Sequence, residues 1–403
     1  MLAIVYLLLC FAVGAGFLSL LLPGVFNIMD TTFSGRKLRT SSLLVVIPAS
    51  YVFGVMFMSW GSYLLACALN KTGNPLRNAD MIMMTAAIVF LAVVVFFKRA
   101  KLANELKHSL GLFDYAEMIV VFIAVCVSYI LMFNSFYHKE DYTGVGVSVF
   151  SDFSTHIGMI RSFSSGNNFP AVYSHYAGAD MKYHFMHQFF VGNLEFLGLR
   201  LDLAFNIPSI ITFVGTCMLI FALSLKLFGK RMIGVTAVLF FIFRSSRSFL
   251  EYMAGIDGTF KEIIKKASEN SDFIGSTTNE NWGLYNLNVY ANQRHLAFGL
   301  CVILLALIFM LPPFFAQFVR IRSALRELEQ KKILRAAALS CEAPAEETQT
   351  EAVATVEKLQ NAAEETTVNS QNKNASTSVS EESEENESEK TEERLPNRFI
   401  LFF

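Results

Sequence analysis

The 403-residue chain is 53% hydrophobic, 17% charged and formally −1 at neutral pH, with 39 phenylalanines and a mean hydropathy of +0.43. Soluble domains carry about a quarter charged residues, so this balance excludes an ordinary water-soluble protein. Several apolar runs approach or exceed the roughly 17–25 residues that a helix needs to cross about 30 Å of hydrocarbon. The expected fold is therefore an all-α polytopic membrane protein with about seven to eight transmembrane helices.

Taken in chain order, the apolar runs fall at about 2–26, 42–69, 81–97, 113–134, 207–228, 232–244 and 296–318. The first lacks a basic n-region and is too long for a signal-peptide core, which makes it a membrane span. Basic residues gather at Arg36, Lys37 and Arg39, at Lys98, Arg99, Lys101 and Lys107, and at Lys226, Lys230 and Arg231. A fourth cluster comprises Arg320, Arg322, Arg326, Lys331, Lys332 and Arg335. Placing all four on the cytoplasmic side satisfies the positive-inside rule and puts the N-terminus outside.

That parity divides the chain. Residues 1–135 form an N-terminal four-helix membrane region, 136–205 a first long outer loop, and 206–318 further membrane helices interrupted by a second outer loop at 246–294. The apolar stretch 183–199 carries Glu195 and two histidines, and could lie at the interface, dip in re-entrantly or span. Residues 319–340 read as a basic juxtamembrane helix along the inner leaflet. The Glu/Ser/Thr/Asn-rich segment 341–395 has too little apolar surface to offset its ordering entropy, so a disordered acidic cytoplasmic tail is expected. Residues 396–403 read either as the start of a further helix in a longer protein or as an ordinary apolar terminus. Cys10, Cys67, Cys126, Cys217 and Cys301 lie in apolar runs without CxxC spacing, the pattern of small core residues.

The long loops concentrate the chemistry. Five of seven histidines, His138, His156, His175, His184 and His187, share the first loop with Asp141, Asp152 and Asp180. Asp152 and His156 are four apart, and Phe153, Ile157, Ile160 and Phe163 make a stripe, so a short amphipathic helix is expected on the membrane surface. Asp152 would lie near its N-terminus, where the helix dipole favours a carboxylate; equally, Ser151 or Asp152 would be a plain N-cap. Gly166, Asn167, Asn168 and Pro170 supply the stop signal. His184 and His187 fall on one helical face and, with Asp152 and His156, make a candidate set for a divalent cation.

At the end of the second loop, Asn292, Gln293, Arg294 and His295 stand where the chain re-enters the bilayer. Arg294 would either snorkel to headgroups or grip a phosphate. Trp282, Tyr285 and Tyr290 suit an interfacial belt. Asp114 and Glu117 stand at a helix entrance, and the spans are otherwise nearly free of charge.

Several segments together resemble a known family: SDFSTH, the amphipathic helix after it, the Phe-Pro turn, KYHFMHQFFVGNLEFLGLRLDLAFNIPS and NQRHLAFGL. They are similar to the GT-C superfamily of membrane glycosyltransferases, in particular to its poorly characterised bacterial multi-spanning members, over about residues 110–318. The resemblance implies a sugar transferase whose donor is a polyprenyl phosphate or pyrophosphate in the outer leaflet and whose acceptor is extracytoplasmic. It implies that Asp152 is the catalytic base. Substrate contacts would come from His156, Arg161, Lys182, Tyr183, His184, Arg294 and His295, and His184 and His187 would be the metal ligands. The chain departs from the pattern in carrying a single SD, with Asp180 as a candidate second acid, and in having more spans before the first loop.

Membrane lipids are expected partners and nucleic acid is not. The rival readings are a transporter or lipid flippase, and a non-catalytic scaffold for envelope assembly. A transferase requires Asp152, Tyr183, His184 and Arg294 to converge on one outer cavity with a lipid-facing opening, whereas a transporter requires polar residues inside the bundle.

Overall fold

Nearly uninterrupted apolar runs build helices whose backbone groups are satisfied within the segment, and such helices dominate the computed structural model. It describes residues 2–22, 24–146, 149–176, 178–243, 247–269 and 286–342. Trp282, Tyr285 and the segment 343–403 lie outside the described residues, and the expectations for them end there.

The N-terminal region holds α1 (Leu2–Leu21), α2 (Leu43–Ala68), α3 (Pro75–Gly111) and α4 (Tyr115–Ser135). Asp114 caps α4, accepting from the Tyr115 N–H at 2.6 Å, and Glu117 completes a capping box. An antiparallel hairpin, β1 (Phe136–Lys139) with β2 (Tyr142–Val145), follows and is the one sheet among the described residues. Next come α5 (Phe150–Ser164), α6 (Met186–Phe196), α7 (Leu201–Phe228) and α8 (Arg231–Phe243). Short helices α9 (Arg247–Ala254), α10 (Phe260–Glu269) and α11 (Asn286–Asn292) lead into α12 (His295–Glu342). Six of these, α1, α2, α3, α4, α7 and α12, are long and apolar enough to cross a membrane.

The chain divides into two compact units after Phe315, so α12 begins in the first and supplies the described part of the second. The basic stretch 319–340 is thus the continuation of α12 and no separate element. Two prolines, Pro312 and Pro313, stand inside that helix.

The first unit has two chemically distinct ends. At one, Arg231 donates to the Arg39 carbonyl at 2.6 Å and lies 3.3 Å from Asp114, and the Lys226 ammonium donates to the carbonyls of Ile28 and Thr31. The Ser41 hydroxyl donates to the Ser109 carbonyl at 2.7 Å. Three of the basic clusters read from the sequence therefore converge on one end. After α7 the chain turns back along it: Gly234 meets the Phe221 ring, Phe241 lies 5.8 Å from Phe213, and Tyr290 lies 5.4 Å from Phe241. The thirteen residues of α8 cover about 20 Å, and α11 completes the return, so α12 starts at the end where α7 started.

The stretch 183–199 resolves into α6, whose eleven residues are too few to span and in which Gln188–Leu194 are buried on all sides. Its polar atoms are what hold it there. Asn193 donates to Asp80 Oδ1 at 2.9 Å, Ser62 donates to the same oxygen at 2.8 Å, and the Tyr6 hydroxyl lies 3.2 Å from Ser62 Oγ. Asp80, 1% exposed, corrects the expectation of spans nearly free of interior charge. A buried acceptor deprived of its donor keeps its desolvation cost, so Asn193→Leu should destabilise the protein by about 1–3 kcal/mol. Thermal melting in detergent micelles reads this, and an unchanged midpoint would mean that the network carries no weight.

Candidate functional site

At the end opposite the basic clusters, α5 lies on the bundle through Phe153, Met159, Ile160 and Phe163, all buried. This is the predicted apolar stripe with Met159 added and Ile157 only half-buried. The cap reading of Asp152 does not hold. The N-cap is Val149 without a side-chain bond, and Asp152 sits inside the first turn with its carboxylate turned to the second loop. Its Oδ2 accepts from Asn292 Nδ2 and from Gln293 Nε2, each at 2.6 Å. Among the described residues no donor reaches Oδ1. Beyond the helix, Asn167 takes a left-handed φ of 49°, as the stop signal requires.

Four imidazoles gather beside this carboxylate. The buried His156 pairs through Nδ1 with Gln188 Nε2 at 2.9 Å, and its ring lies 6.3 Å from His295. The His184 ring lies 3.9 Å from His295 and 3.7 Å from Tyr183. His187 packs against Phe205 at 6.0 Å. Burial lowers the His156 and His184 pKa values, with the Asp152 charge opposing the shift at His156. Burial first, and then the neighbouring His295 and His156, push His187 down to about 3. These rings are neutral at pH 7 and act as hydrogen-bonding groups rather than cations.

His184, His187 and His295 border a cavity of about 250 Å³ whose walls are Val55, Phe190 and Phe298. Trp60 and Val302, 46% and 37% exposed on α2 and α12, flank it, so the cavity opens on the outer side of the bundle. An apolar chamber with imidazoles at its rim suits a lipid with a polar head.

The other predicted residues divide. Arg294 is 1% exposed, neither at a headgroup surface nor open to a ligand. Its Nε donates to the Ala291 carbonyl, Nη1 to Asn206 Oδ1, and Nη2 to the Met132 carbonyl and Ser135 Oγ. The guanidinium lies 4.3 Å from the Phe205 ring centroid and 5.2 Å from that of Phe153. It ties the C-terminus of α4, where a cation is favoured, to α7 and to the start of α12. Arg161, about 13 Å along α5 from Asp152, pairs with Glu195 at 2.5 Å, and Ser164 donates to the same carboxylate at 2.7 Å. Lys182 borders a second hollow beside Tyr183. Asp152, His156, Tyr183, His184 and His295 thus come together with His187; Arg161 stays apart.

Among the described residues no three His, Cys, Asp or Glu side chains are grouped to hold a metal ion. Gln188, Asn193, Asp80 and Asn206 were not singled out from the sequence. The available signal was a polar residue standing alone in an apolar stretch, as in MHQFF and LAFNIPS.

The half-buried His187 gives acid sensitivity a definite sign. The unfolded chain protonates this ring near pH 6.5 and the folded one only near 3. Its contribution is intact above about 6.5 and stability falls as pH drops from there toward 3. His187→Asn should therefore melt less steeply with acid than the native protein over that window. Parallel slopes from thermal scans would count against a ring held neutral in the fold.

A helical bundle with six helices long enough to cross a membrane, carrying a carboxylate and four imidazoles at one end, defines an all-α multi-pass membrane protein with a polar terminal site. No family model, no curated protein and no solved structure matches the chain.

Proposed function

We propose that the protein is a membrane glycosyltransferase that moves a sugar from a polyprenyl-phosphate-type lipid to an extracytoplasmic acceptor, with Asp152 as general base. The observation that carries this reading is the juxtaposition of the Asp152 carboxylate, braced by Asn292 and Gln293, with an apolar side-opening cavity rimmed by His184, His187 and His295. A lipid chain fits the cavity at bilayer depth, which leaves its phosphate and sugar at the imidazoles.

In the reaction, the acceptor hydroxyl gives its proton to Asp152 Oδ1 as its oxygen bonds to the anomeric carbon. The bond from that carbon to the phosphate oxygen breaks, and the phosphate leaves with the electron pair. His184 and His295 donate hydrogen bonds to the departing oxygen, and Tyr183, stacked on His184, fixes the ring. Arg294 acts at one remove by holding the 291–295 turn that presents Asn292 and Gln293. The positive-inside rule places the basic end in the cytoplasm and the site outside, with α8 and α11 making a seventh crossing.

The buried Asp80 favours one competing reading, an ion-coupled transporter, because intramembrane carboxylates commonly mark ion paths. The deciding experiment places the purified chain in proteoliposomes with envelope acceptors and supplies radiolabelled sugar on polyprenyl phosphate or on a nucleotide. Transfer from the lipid donor alone is expected. Absence of transfer across a panel of polyprenyl-phosphate sugars would retire the transferase reading, and the transporter would take its place.

A further inference from the structure

The hollow beside Lys182 is distinct from the apolar cavity, with the Tyr183 and His184 rings packed together between them. It measures about 470 Å³ and is lined by Tyr173, Tyr176, Asp180, Lys182 and Tyr183. Small-molecule sites usually occupy about 300–1,000 Å³.

The hollow is built rather than incidental. Asn168 anchors the loop at its base, accepting from the Val172 N–H and donating to the Val172 carbonyl, both at 2.8 Å. Val172 bridges to Asp180, and the Tyr173 N–H donates to the Ala179 carbonyl at 2.9 Å. Gly178 supplies the left-handed φ of 81° that the tip requires. This framework presents three phenol rings with an acceptor-only carboxylate and a donor-only ammonium. Tyr176 is 70% exposed and Tyr183 38%.

Each ring face is electronegative and suits the weakly positive C–H face of a pyranose, while Asp180 can accept hydrogen bonds from hydroxyls and Lys182 can donate to them. The opposite charges cancel locally, which suits a neutral, hydroxyl-rich ligand and disfavours an anionic one. Burial, and after it the negative charge of Asp152, hold the Tyr183 phenol above its usual range, so the hollow lies within the field of the base.

We propose that this hollow is the acceptor subsite and that it binds a neutral oligosaccharide by stacking on Tyr173, Tyr176 and Tyr183. The acceptor role rests on the transferase reading; saccharide binding does not. A ligand seated there would direct a hydroxyl past Tyr183 toward Asp152, with its donor on the other side of the Tyr183–His184 stack.

The test is saturation-transfer NMR on the full chain in detergent micelles with maltotriose, cellotriose and chitotriose as probes. At least one should bind, with affinity lowered tenfold or more in Tyr176→Ala and kept in Tyr176→Phe. Because Tyr176 is exposed, neither change should alter the melting temperature. Failure of all three probes to bind the native chain overturns the proposal, as does equal binding by Tyr176→Ala and Tyr173→Ala, or tighter binding of trigalacturonate than of the neutral sugars. Saccharide binding without transfer from any lipid donor would remove the transferase reading and leave the site standing. Transfer from a lipid donor without saccharide binding would do the reverse.

Discussion

Asp152→Asn should leave the protein folded and lower sugar transfer by about 10²–10⁴-fold, the range that a positioned general base contributes. The substitution preserves shape, and the carboxamide oxygen can still accept from Asn292 and Gln293, which reach the native carboxylate at 2.6 Å. What it removes is basicity at the atom facing the acceptor. A structural carboxylate predicts a different result: weakening its bonds from Asn292 and Gln293 costs about 1 kcal/mol of stability and leaves catalysis alone. Initial rates at matched expression, paired with melting temperatures, separate the two. Equal transfer by variant and native protein would take Asp152 out of the mechanism, while a large fall in melting temperature would make it an anchor between the two loops.

Local patterns in the sequence were readable where the physics is local. The four-residue spacing of Asp152 and His156, the Phe153/Ile160/Phe163 stripe and the Asn167 stop reappear as α5, and the Asp114/Glu117 pair as a capping box. The misread features all depend on partners far along the chain. Asp152 looks like a cap until Asn292 and Gln293, about 140 positions away, are seen to claim its oxygen. Arg294 looks like a headgroup anchor because nothing nearby in sequence announces that Asn206, Ser135 and the end of α4 will surround it. Asp80 stands at the margin of an apolar run, and nothing local in the sequence shows that Ser62 and Asn193 will enclose it. Segment 183–199 was ambiguous because apolarity alone does not distinguish a bilayer from a protein interior. Its length of eleven helical residues and its four polar side chains, His187, Gln188, Asn193 and Glu195, decide for the latter.

Gly54→Leu should be the most damaging single substitution for stability, at about 3 kcal/mol or more. Helices α1 and α2 cross with their backbones in contact, so a Cβ on Gly54 would lie 1.7 Å from the Cys10 carbonyl oxygen, and one on Gly14 1.8 Å from that of Ser50. Cys10 and Gly14, like Ser50 and Gly54, are small residues four apart, the arrangement that lets two membrane helices approach closely. Neither obstruction is the flexible end of a side chain, so even Ala must push the helices apart, and Leu further. The damage would reach the site. Val55 walls the apolar cavity from the residue next to Gly54, and Ser62, two turns on, holds Asp80. Loss of lipid-donor affinity should therefore accompany the loss of stability, in the order Gly54→Leu worse than Gly54→Ala. Gly24 provides the control: a Cβ there meets nothing within 4 Å at an ordinary φ of −88°, so Gly24→Ala should melt as the native protein does. If Gly54→Leu also melts at the native temperature, the α1–α2 crossing is looser than described, and the cavity wall built on it must be drawn differently.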